Sequence, residues 1–188
     1  MSFLSNKQLH AMGFNNIGKE VLVSDKASLY NPSGISIGDY SRIDDFCIIS
    51  ASGGSVKIGR NVHVAAYAAI FGGGNAILED FSGISGRSLI YTSNDDYSGS
   101  FLTNPTVPDK FRSVTAGTVR IGRHALVGAG CVILPDVHLG DGSRVGAMSL
   151  LTAGEYDVDS LYVGVPAKKV RDIKSRLPEL EKKYLEGV

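Results

Sequence analysis

A sixfold repeat of aliphatic residues is the feature that most constrains the fold of this chain. Eighteen aliphatic residues fall into six triplets, and within each triplet the spacing is six without exception. A period of six matches neither an amphipathic helix, which repeats near 3.6, nor a long alternating strand. It is typical of a parallel β-helix, in which each hexad supplies one short strand and one corner, and three hexads close a triangular coil. The triplets are Ile17, Val23, Leu29; Ile37, Ile43, Ile49; Ile58, Val64, Ile70; Leu78, Ile84, Ile90; Ile121, Val127, Ile133; and Leu139, Val145, Leu151.

A second column of small or slim residues lies two positions before most of these aliphatic residues. The two columns together predict two inward-facing residues in every six, and these line the inner wall of the coils. Both cysteines, Cys47 and Cys131, belong to the small-residue column. They are therefore expected to pack in the core of a protein from a reducing compartment, and not to form a disulfide or a metal pair.

The bulk composition limits the classes of function. The 188 residues carry no formal net charge, so the composition does not indicate binding to nucleic acid or to an anionic membrane. No segment approaches the ~18 apolar residues of a membrane span, and the N-terminus has no basic region followed by an apolar run. We expect a cytoplasmic protein with one substantial domain.

The chain divides into a cap, a repeat domain and a tail. Residues 1–16 are expected to form a short helical cap over the first coil, with Ser5 as its N-cap and Gly13 at its end. Residues 17–170 form the β-helix domain. Residues 171–188 form a helical tail, which Pro178 is expected to split into two short helices.

One long insertion interrupts the repeat at residues 91–117. Loops of this length in a compact domain are usually functional or disordered. This one contains aromatic and proline residues, including Tyr97, Phe101 and Phe111. We therefore expect an ordered, protruding loop that packs on a neighbouring chain.

The stretch from 17 to 171 resembles the hexapeptide-repeat acyltransferases, a left-handed parallel β-helix family that includes galactoside, maltose and xenobiotic acetyltransferases. The resemblance rests on the repeat, the loop after the fourth coil, IGRHALVGAGCVILPDVHLGDGSRVGAMSLLTAG (121–154) and GVPAKKVR (164–171). It implies left-handed coiling, a homotrimer with active sites at subunit interfaces, and acetyl-CoA as cosubstrate. No metal is expected.

The resemblance also directs attention to the acceptor site. The family's general base is usually a histidine at the start of the protruding loop, and the matching residue here is Asp95. His63 precedes the inward Val64 and so points outward, and its neighbour in the next coil is Gly83. Imidazole titrates near neutral pH, whereas a carboxylate would need a large upward pKa shift to act as the base. We predict His63 as the base, with Asp95 or Asp96 orienting it or holding the acceptor.

Other interpretations of these residues stay open. His63 could be a surface histidine, and the two aspartates could cap a loop turn. His124, at a corner after the loop, and His138, beside a basic outward column, are alternative bases.

The coenzyme side of the site is expected on adjacent coils. Gly128-Ala129 and Gly146-Ala147 form an outward strip of bare backbone on which a pantetheine arm could lie, although small residues could instead serve tight subunit contact. The resemblance adds a nearby hydroxyl and a basic segment at the coenzyme phosphates, whose charges could instead be solvated at the start of the tail. These matching residues are Thr152, Pro166, Lys168, Lys169 and Arg171.

The function expected from the resemblance is acetyl transfer to a sugar hydroxyl during O-antigen or other surface polysaccharide synthesis. It rests on the loop TSNDDYSG…NPTVP (92–108). The alternative is N-acetylation of a nucleotide-linked amino sugar, in which the amine can act as its own base. Two other classes stay open, a zinc enzyme of the carbonic anhydrase type with histidines from two subunits, and a non-catalytic scaffold.

Overall fold

The computed structural model describes residues 2–187 and contains helices at both ends of a long run of short strands. The helices are α1 (Asn6–Ala11) and α2 (Leu177–Glu186). The strands, in chain order, are β1 (Asn16–Ile17), β2 (Leu22–Val23), β3 (Ser28–Tyr30), β4 (Ile35–Ile37), β5 (Arg42–Ile43), β6 (Ile48–Ser50), β7 (Val56–Ile58), β8 (His63–Val64), β9 (Ala69–Phe71), β10 (Asn75–Leu78), β11 (Gly83–Ile84), β12 (Leu89–Tyr91), β13 (Ser93–Asp95), β14 (Val114–Ala116), β15 (Thr118–Ile121), β16 (Leu126–Val127), β17 (Val132–Ile133), β18 (Val137–Leu139), β19 (Arg144–Val145), β20 (Leu150–Leu151), β21 (Gly154–Tyr156), β22 (Ser160–Gly164) and β23 (Ala167–Asp172).

Apart from β13 and β14, the strands form three sheets that the chain visits in rotation, with parallel pairing throughout except between β22 and β23. Sheet I has the order β1-β4-β7-β10-β15-β18-β21, and sheet II has the order β2-β5-β8-β11-β16-β19-β22-β23. Sheet III has the order β20-β17-β12-β9-β6-β3, so the chain completes six triangular coils and begins a seventh with β21 and β22. This is the parallel β-helix that the sixfold repeat predicts.

The aliphatic residues of the repeat form the core, as expected. All of them are buried except Ile17 and Leu29, which lie in the first coil and are half-buried. Each stacks on its equivalent in the next coil, as Ile37 does on Ile58. Stacking in register removes apolar surface from water along the whole axis, which is the main favourable term in the stability of such a fold.

The small-residue column lies between the sheets, where side chains of successive coils come close. Ser41 shows why hydroxyls fit there, because its Oγ accepts the Val62 N–H of the next coil at 3.0 Å and donates to the Gly59 carbonyl of that next coil. Cys47 and Cys131 are buried free thiols, as predicted. Burial raises the pKa of Cys47 to about 11, so its thiol stays protonated and unreactive.

The N-terminal cap is shorter than the segment expected at residues 1–16. Helix α1 has Ser5 as its N-cap, with a capping box to Gln8, and Leu9 packs into the end of the core. The helix ends before Gly13, and β1 has already begun at Asn16. Covering the open end of the core with a helix also protects it from association with other chains.

The tail differs from the predicted pair of helices that starts at residue 171. Strand β23 turns back and pairs antiparallel with β22, so Arg171 is extended and not helical. A single helix then starts at Leu177, with Pro178 in its first turn. Proline is tolerated there because the N–H groups of the first turn have no partner inside the helix. Among residues 2–187 no helix is long and apolar enough to cross a membrane.

Candidate active site

The insertion at residues 91–117 forms a hairpin that leaves the body of the β-helix. Strands β13 and β14 pair antiparallel with each other and with none of the three main sheets. Beyond them, Tyr97, Phe101 and Leu102 are exposed. The loop therefore protrudes as an ordered element, and its packing on a neighbouring chain stays a prediction.

The two aspartates of this loop have different surroundings. Asp96 accepts hydrogen bonds from the N–H groups of Gly99, Ser100 and Phe101, at 2.9 to 3.3 Å. It also accepts from the Ser98 hydroxyl at 2.9 Å, and these bonds lower the pKa of Asp96. Its carboxylate is therefore committed to folding the turn.

Asp95 keeps more of its hydrogen-bonding capacity. Its Oδ2 accepts one long bond from the Asn104 N–H at 3.3 Å, and the other carboxylate oxygen makes no hydrogen bond within residues 2–187. The side chain is half-buried and lines a cavity of about 460 Å³ inside the loop. Of the two aspartates, Asp95 is the one that can still bind a ligand.

His63 lies on sheet II, pointing outward as its register predicts. Its side chain is 53% exposed, and Gly83 is its partner in the next coil. Its Nε2 lies 2.9 Å from Oδ2 of Asp44. The other oxygen of this carboxylate, Oδ1, accepts a hydrogen bond from Arg42 Nε at 2.6 Å. Partial burial raises the pKa of Asp44, but the hydrogen bonds from His63 and Arg42 outweigh burial and hold it below its ordinary value.

The carboxylate that orients His63 within one chain is therefore Asp44, which the sequence analysis did not select. No hydrogen bond or ion pair in the described part of the chain joins His63 to Asp95 or Asp96. The signal for Asp44 was available, because this residue follows the inward Ile43 one coil below.

The other histidines have local partners. His124 stacks on Phe81 at 5.0 Å, and its Nε2 lies 2.7 Å from Oε2 of Glu181 in helix α2. His138 lies on sheet I, with Nδ1 2.6 Å from Glu155. His124 therefore belongs to the docking site of α2, and His138 faces a different side of the molecule from His63.

The glycine strip lies in an outward column on sheet II, formed by the residues that follow each inward aliphatic residue. Gly128 and Gly146 are neighbours on adjacent coils, since Val127 pairs with Val145. A Cβ atom on Gly128 would lie 2.6 Å from the backbone nitrogen of Ala147. The column therefore has room for backbone only at this point.

The N–H groups of the glycine strip, Gly128-Ala129 and Gly146-Ala147, differ in whether a hydrogen bond within the chain already uses them. The N–H groups of Gly128 and Gly146 donate to carbonyl groups of the next coil, both at 2.8 Å. Ala129 and Ala147 are exposed, and no hydrogen bond within residues 2–187 uses their N–H groups. A polar chain lying along the strip would find its donors there.

The basic segment continues this column. In the β22–β23 pair, Lys168 lies opposite Val163, whose side chain is the nearest neighbour that a Cβ on Gly146 would meet. No ion pair of the described residues uses Lys168. Lys169 instead binds Asp172 at 2.7 Å and Asp157 at 2.9 Å, and these contacts raise the pKa of Lys169.

The remaining coenzyme candidates are exposed. Arg171 makes one long bond, at 3.4 Å, to the carbonyl of Asp172. Thr152 lies near the next corner, where its N–H and carbonyl bond the Tyr156 hydroxyl. Pro166 is exposed in the turn between β22 and β23. No contact described within the chain joins Thr152 to the glycine strip.

Sheet II also carries a hydroxyl that the sequence analysis missed. Ser85 follows the inward Ile84, lies between Ala65 and Gly128 in the outward column, and is half-buried. The signal was its position one residue after an aliphatic residue of the repeat. No group of three or more His, Cys, Asp or Glu side chains within residues 2–187 could hold a metal ion.

The sequence of this chain is similar to those of known transferases. Residues 118–153 match the bacterial transferase hexapeptide model of six repeats. The chain is 42% identical over 181 residues to dTDP-4-amino-4,6-dideoxy-D-glucose acyltransferase of Escherichia coli. The match covers 96% of this chain and 94% of that relative.

Solved structures give the same result. A variant of AntD, an N-acyltransferase from Bacillus cereus in complex with dTDP-4-amino-4,6-dideoxyglucose and coenzyme A, has 43% identity and a TM-score of 0.94, and the match covers 100% of this chain and 99% of AntD. AntD in complex with dTDP and 3-hydroxybutyryl-CoA has 44% identity and a TM-score of 0.93, over 99% and 97%. The chain belongs to the hexapeptide-repeat acyltransferase family, with its left-handed parallel β-helix fold.

Proposed function

We propose that this enzyme transfers an acyl group from acyl-CoA to the amino group of a dTDP-linked amino dideoxy sugar. The observation that carries the proposal is the similarity, along nearly the whole of both chains, to a relative named for acylating dTDP-4-amino-4,6-dideoxy-D-glucose. It favours N-acylation, the alternative in the sequence analysis, over acetylation of a sugar hydroxyl.

The coenzyme site proposed on sheet II has the chemistry that acyl-CoA needs. The two amides of the pantetheine arm can accept hydrogen bonds from the outward N–H groups of Ala129 and Ala147. Gly128 and Gly146 allow the arm to approach the backbone closely. Lys168, at the end of this column, would bind the phosphates together with Arg171, while Lys169 is already neutralised by two carboxylates.

The proposed reaction forms an amide and releases a thiol. A sugar amine is largely protonated at neutral pH, so it must lose a proton before its nitrogen attacks the thioester carbonyl. His63, oriented by Asp44, accepts that proton, and Asp95 holds the ammonium group before transfer. His63 releases this proton to solvent. The C–N bond then forms, His63 takes the second proton from the nitrogen, the C–S bond breaks, and His63 passes that second proton to the departing thiolate. Ser85, in the same outward column, would donate to the carbonyl oxygen.

Two further parts of the proposal concern the setting of this reaction. The enzyme is a homotrimer in which the hairpin of one chain completes the site on sheet II of another, which accounts for the lack of contact between His63 and Asp95 in one chain. It acts in the cytoplasm on a precursor of a surface polysaccharide, in keeping with the buried free thiols of Cys47 and Cys131.

The direct test is to identify the product. The protein is incubated with acetyl-CoA or 3-hydroxybutyryl-CoA and dTDP-4-amino-4,6-dideoxyglucose, and the nucleotide sugar is analysed by mass spectrometry before and after mild alkali. We expect the mass to increase by one acyl group and to survive alkali, as an amide does. An alkali-labile product would support the hydroxyl as acceptor. Absence of both transfer and coenzyme A binding would support a scaffold.

A further inference from the structure

The hairpin that carries Asp95 shares no strand pairing with the β-helix within residues 2–187. Strands β13 and β14 have three residues each and pair only with each other. The direction in which the hairpin points must therefore be set by the residues where it leaves the coil, since no ladder of strands continues from a main sheet.

Two hydroxyls hold that base. Thr92 is 2% exposed, and its Oγ1 accepts the Gly74 N–H of the coil below at 3.1 Å. The next residue, Ser93, accepts the Gly73 N–H through its Oγ at 2.9 Å. Successive N–H groups of one glycine corner are thus bound by successive hydroxyls of the outgoing strand.

The end of the returning strand is bound to the same residues at the base of the hairpin. The Gly117 N–H donates to the Thr92 carbonyl at 2.9 Å, and the Gly117 carbonyl accepts the Asn75 N–H at 3.0 Å. A Cβ atom on Gly74 would lie only 2.0 Å from the Gly117 oxygen, so this fit depends on glycine. The outgoing strand, the returning strand and the corner below are locked together by Thr92.

We infer that Thr92, the residue just before β13, is a positioning residue that acts through Asp95 at the end of that strand. This inference rests on the proposed function, because Asp95 is assigned there to the acceptor amine. Without the Thr92 hydroxyl the half-buried Gly74 N–H loses its partner, and the hairpin tilts about its base. Asp95 would then no longer meet the amine in the correct geometry.

The test compares Thr92→Val, which is nearly isosteric, with Thr92→Ser, which keeps the hydroxyl. We expect Thr92→Val to lower kcat/KM for the nucleotide sugar by about tenfold while KM for acyl-CoA is unchanged. Thr92→Ser should stay within about twofold of the wild type. Ser24→Ala is the matched control, because it removes a buried hydroxyl bridge in the first coil and should lower Tm without changing the kinetics.

A double-mutant comparison separates positioning from general damage. In an Asp95→Asn background, Thr92→Val should have little further effect, because the group that it positions is already lost. An equal loss in both backgrounds, or a rise in KM for acyl-CoA alone, would overturn the inference.

A readout without substrate keeps this inference distinct from the proposed function. Amide hydrogen exchange at residues 93–95 and 114–116 should be faster in Thr92→Val than in the wild type and in Ser24→Ala. If the wild type acylates no nucleotide amino sugar, the proposed function fails. Unchanged hydrogen exchange in Thr92→Val would instead refute the role of Thr92 in holding the base of the hairpin.

Discussion

At the scale of single residues, the proposed function gives His63 and Asp95 separate tasks. We expect His63→Ala to lower kcat by about 10²- to 10⁴-fold with coenzyme binding near normal, because the amine loses its proton acceptor. Asp95→Asn should mainly raise KM for the nucleotide sugar, since the charge that holds the ammonium group is removed. Steady-state kinetics with each substrate varied in turn, and His138→Ala as a surface control, measure both effects. A large fall in kcat for Asp95→Asn, with His63→Ala still active, would make Asp95 the base.

The adjacent lysines of β23 offer a second test at this scale. Lys168→Ala should raise KM for acyl-CoA by about fivefold, equivalent to ~1 kcal/mol, because a phosphate loses its cation. Lys169→Ala should change it by less than about twofold, because Lys169 already binds Asp157 and Asp172. The two variants remove the same charge, so kinetics with varied acyl-CoA isolates the effect of position. Equal effects would show that the phosphates do not distinguish these sites.

At the scale of elements, α2 is held to a corner of the β-helix by an ionic cluster. The Arg123 guanidinium binds Glu181, and His124 adds a hydrogen bond to the same carboxylate. The Arg123 hydrogen bond is the main cause that holds the pKa of Glu181 at about 2, below its usual 4.5. Because the folded-state pKa is depressed, this stabilisation is present above pH 4.5 and is lost as the pH falls towards 2.

We therefore expect the docking of α2 to weaken between pH 4.5 and 2. The Tyr184 ring, which packs edge-on against Phe81 at 5.8 Å, reports this docking through its NMR chemical shifts. Glu181→Gln should loosen the helix at neutral pH and remove the acid transition. Glu186→Gln, at an exposed site 3.9 Å from Lys182, is the control. An unchanged acid transition in Glu181→Gln would refute this assignment.

The elements also show what could be predicted from the sequence. The coils were predictable because each hexad repeats the same local choice of inward and outward residue, and His63 and Gly83 took their expected places. Strand β23 was not predictable, since the repeat has ended before it and a single antiparallel pairing leaves no periodic signal. Pro178 permitted either a break or a start of a helix, and only packing decided between them.

The candidate site was predictable to the extent that it follows the repeat. The glycine strip could be located from register, whereas the Asp44 partner of His63 needed a comparison between coils that the sequence analysis did not make. The division of labour between Asp95 and Asp96 depends on the folding of a loop outside the repeat. The choice between an amine and a hydroxyl acceptor came from the similarity to relatives, because no inward or outward pattern encodes it.

At the scale of the whole molecule, the proposed site combines the glycine strip and His63, on the rigid β-helix, with Asp95 from the hairpin of a neighbouring chain. In the outward column on sheet II, three coils lie between Asp44 and Gly146. Such a division requires an oligomer for activity. Equal amounts of His63→Ala and Asp95→Asn chains, mixed and reassembled, should recover part of the activity that each variant lacks, measured as thiol release. If the mixture is no more active than its components, the site lies within one chain.

The central claim is that the acceptor atom is the nitrogen of a nucleotide-linked sugar. The measurement that tests it most directly is the ratio of kcat/KM for dTDP-4-amino-4,6-dideoxyglucose to that for the same nucleotide sugar with a 4-hydroxyl group, at saturating acyl-CoA. The account predicts a preference for the amine of at least about 10³-fold, because Asp95 binds an ammonium group and a neutral alcohol is the weaker nucleophile. Comparable rates, or a preference for the hydroxyl sugar, would contradict it.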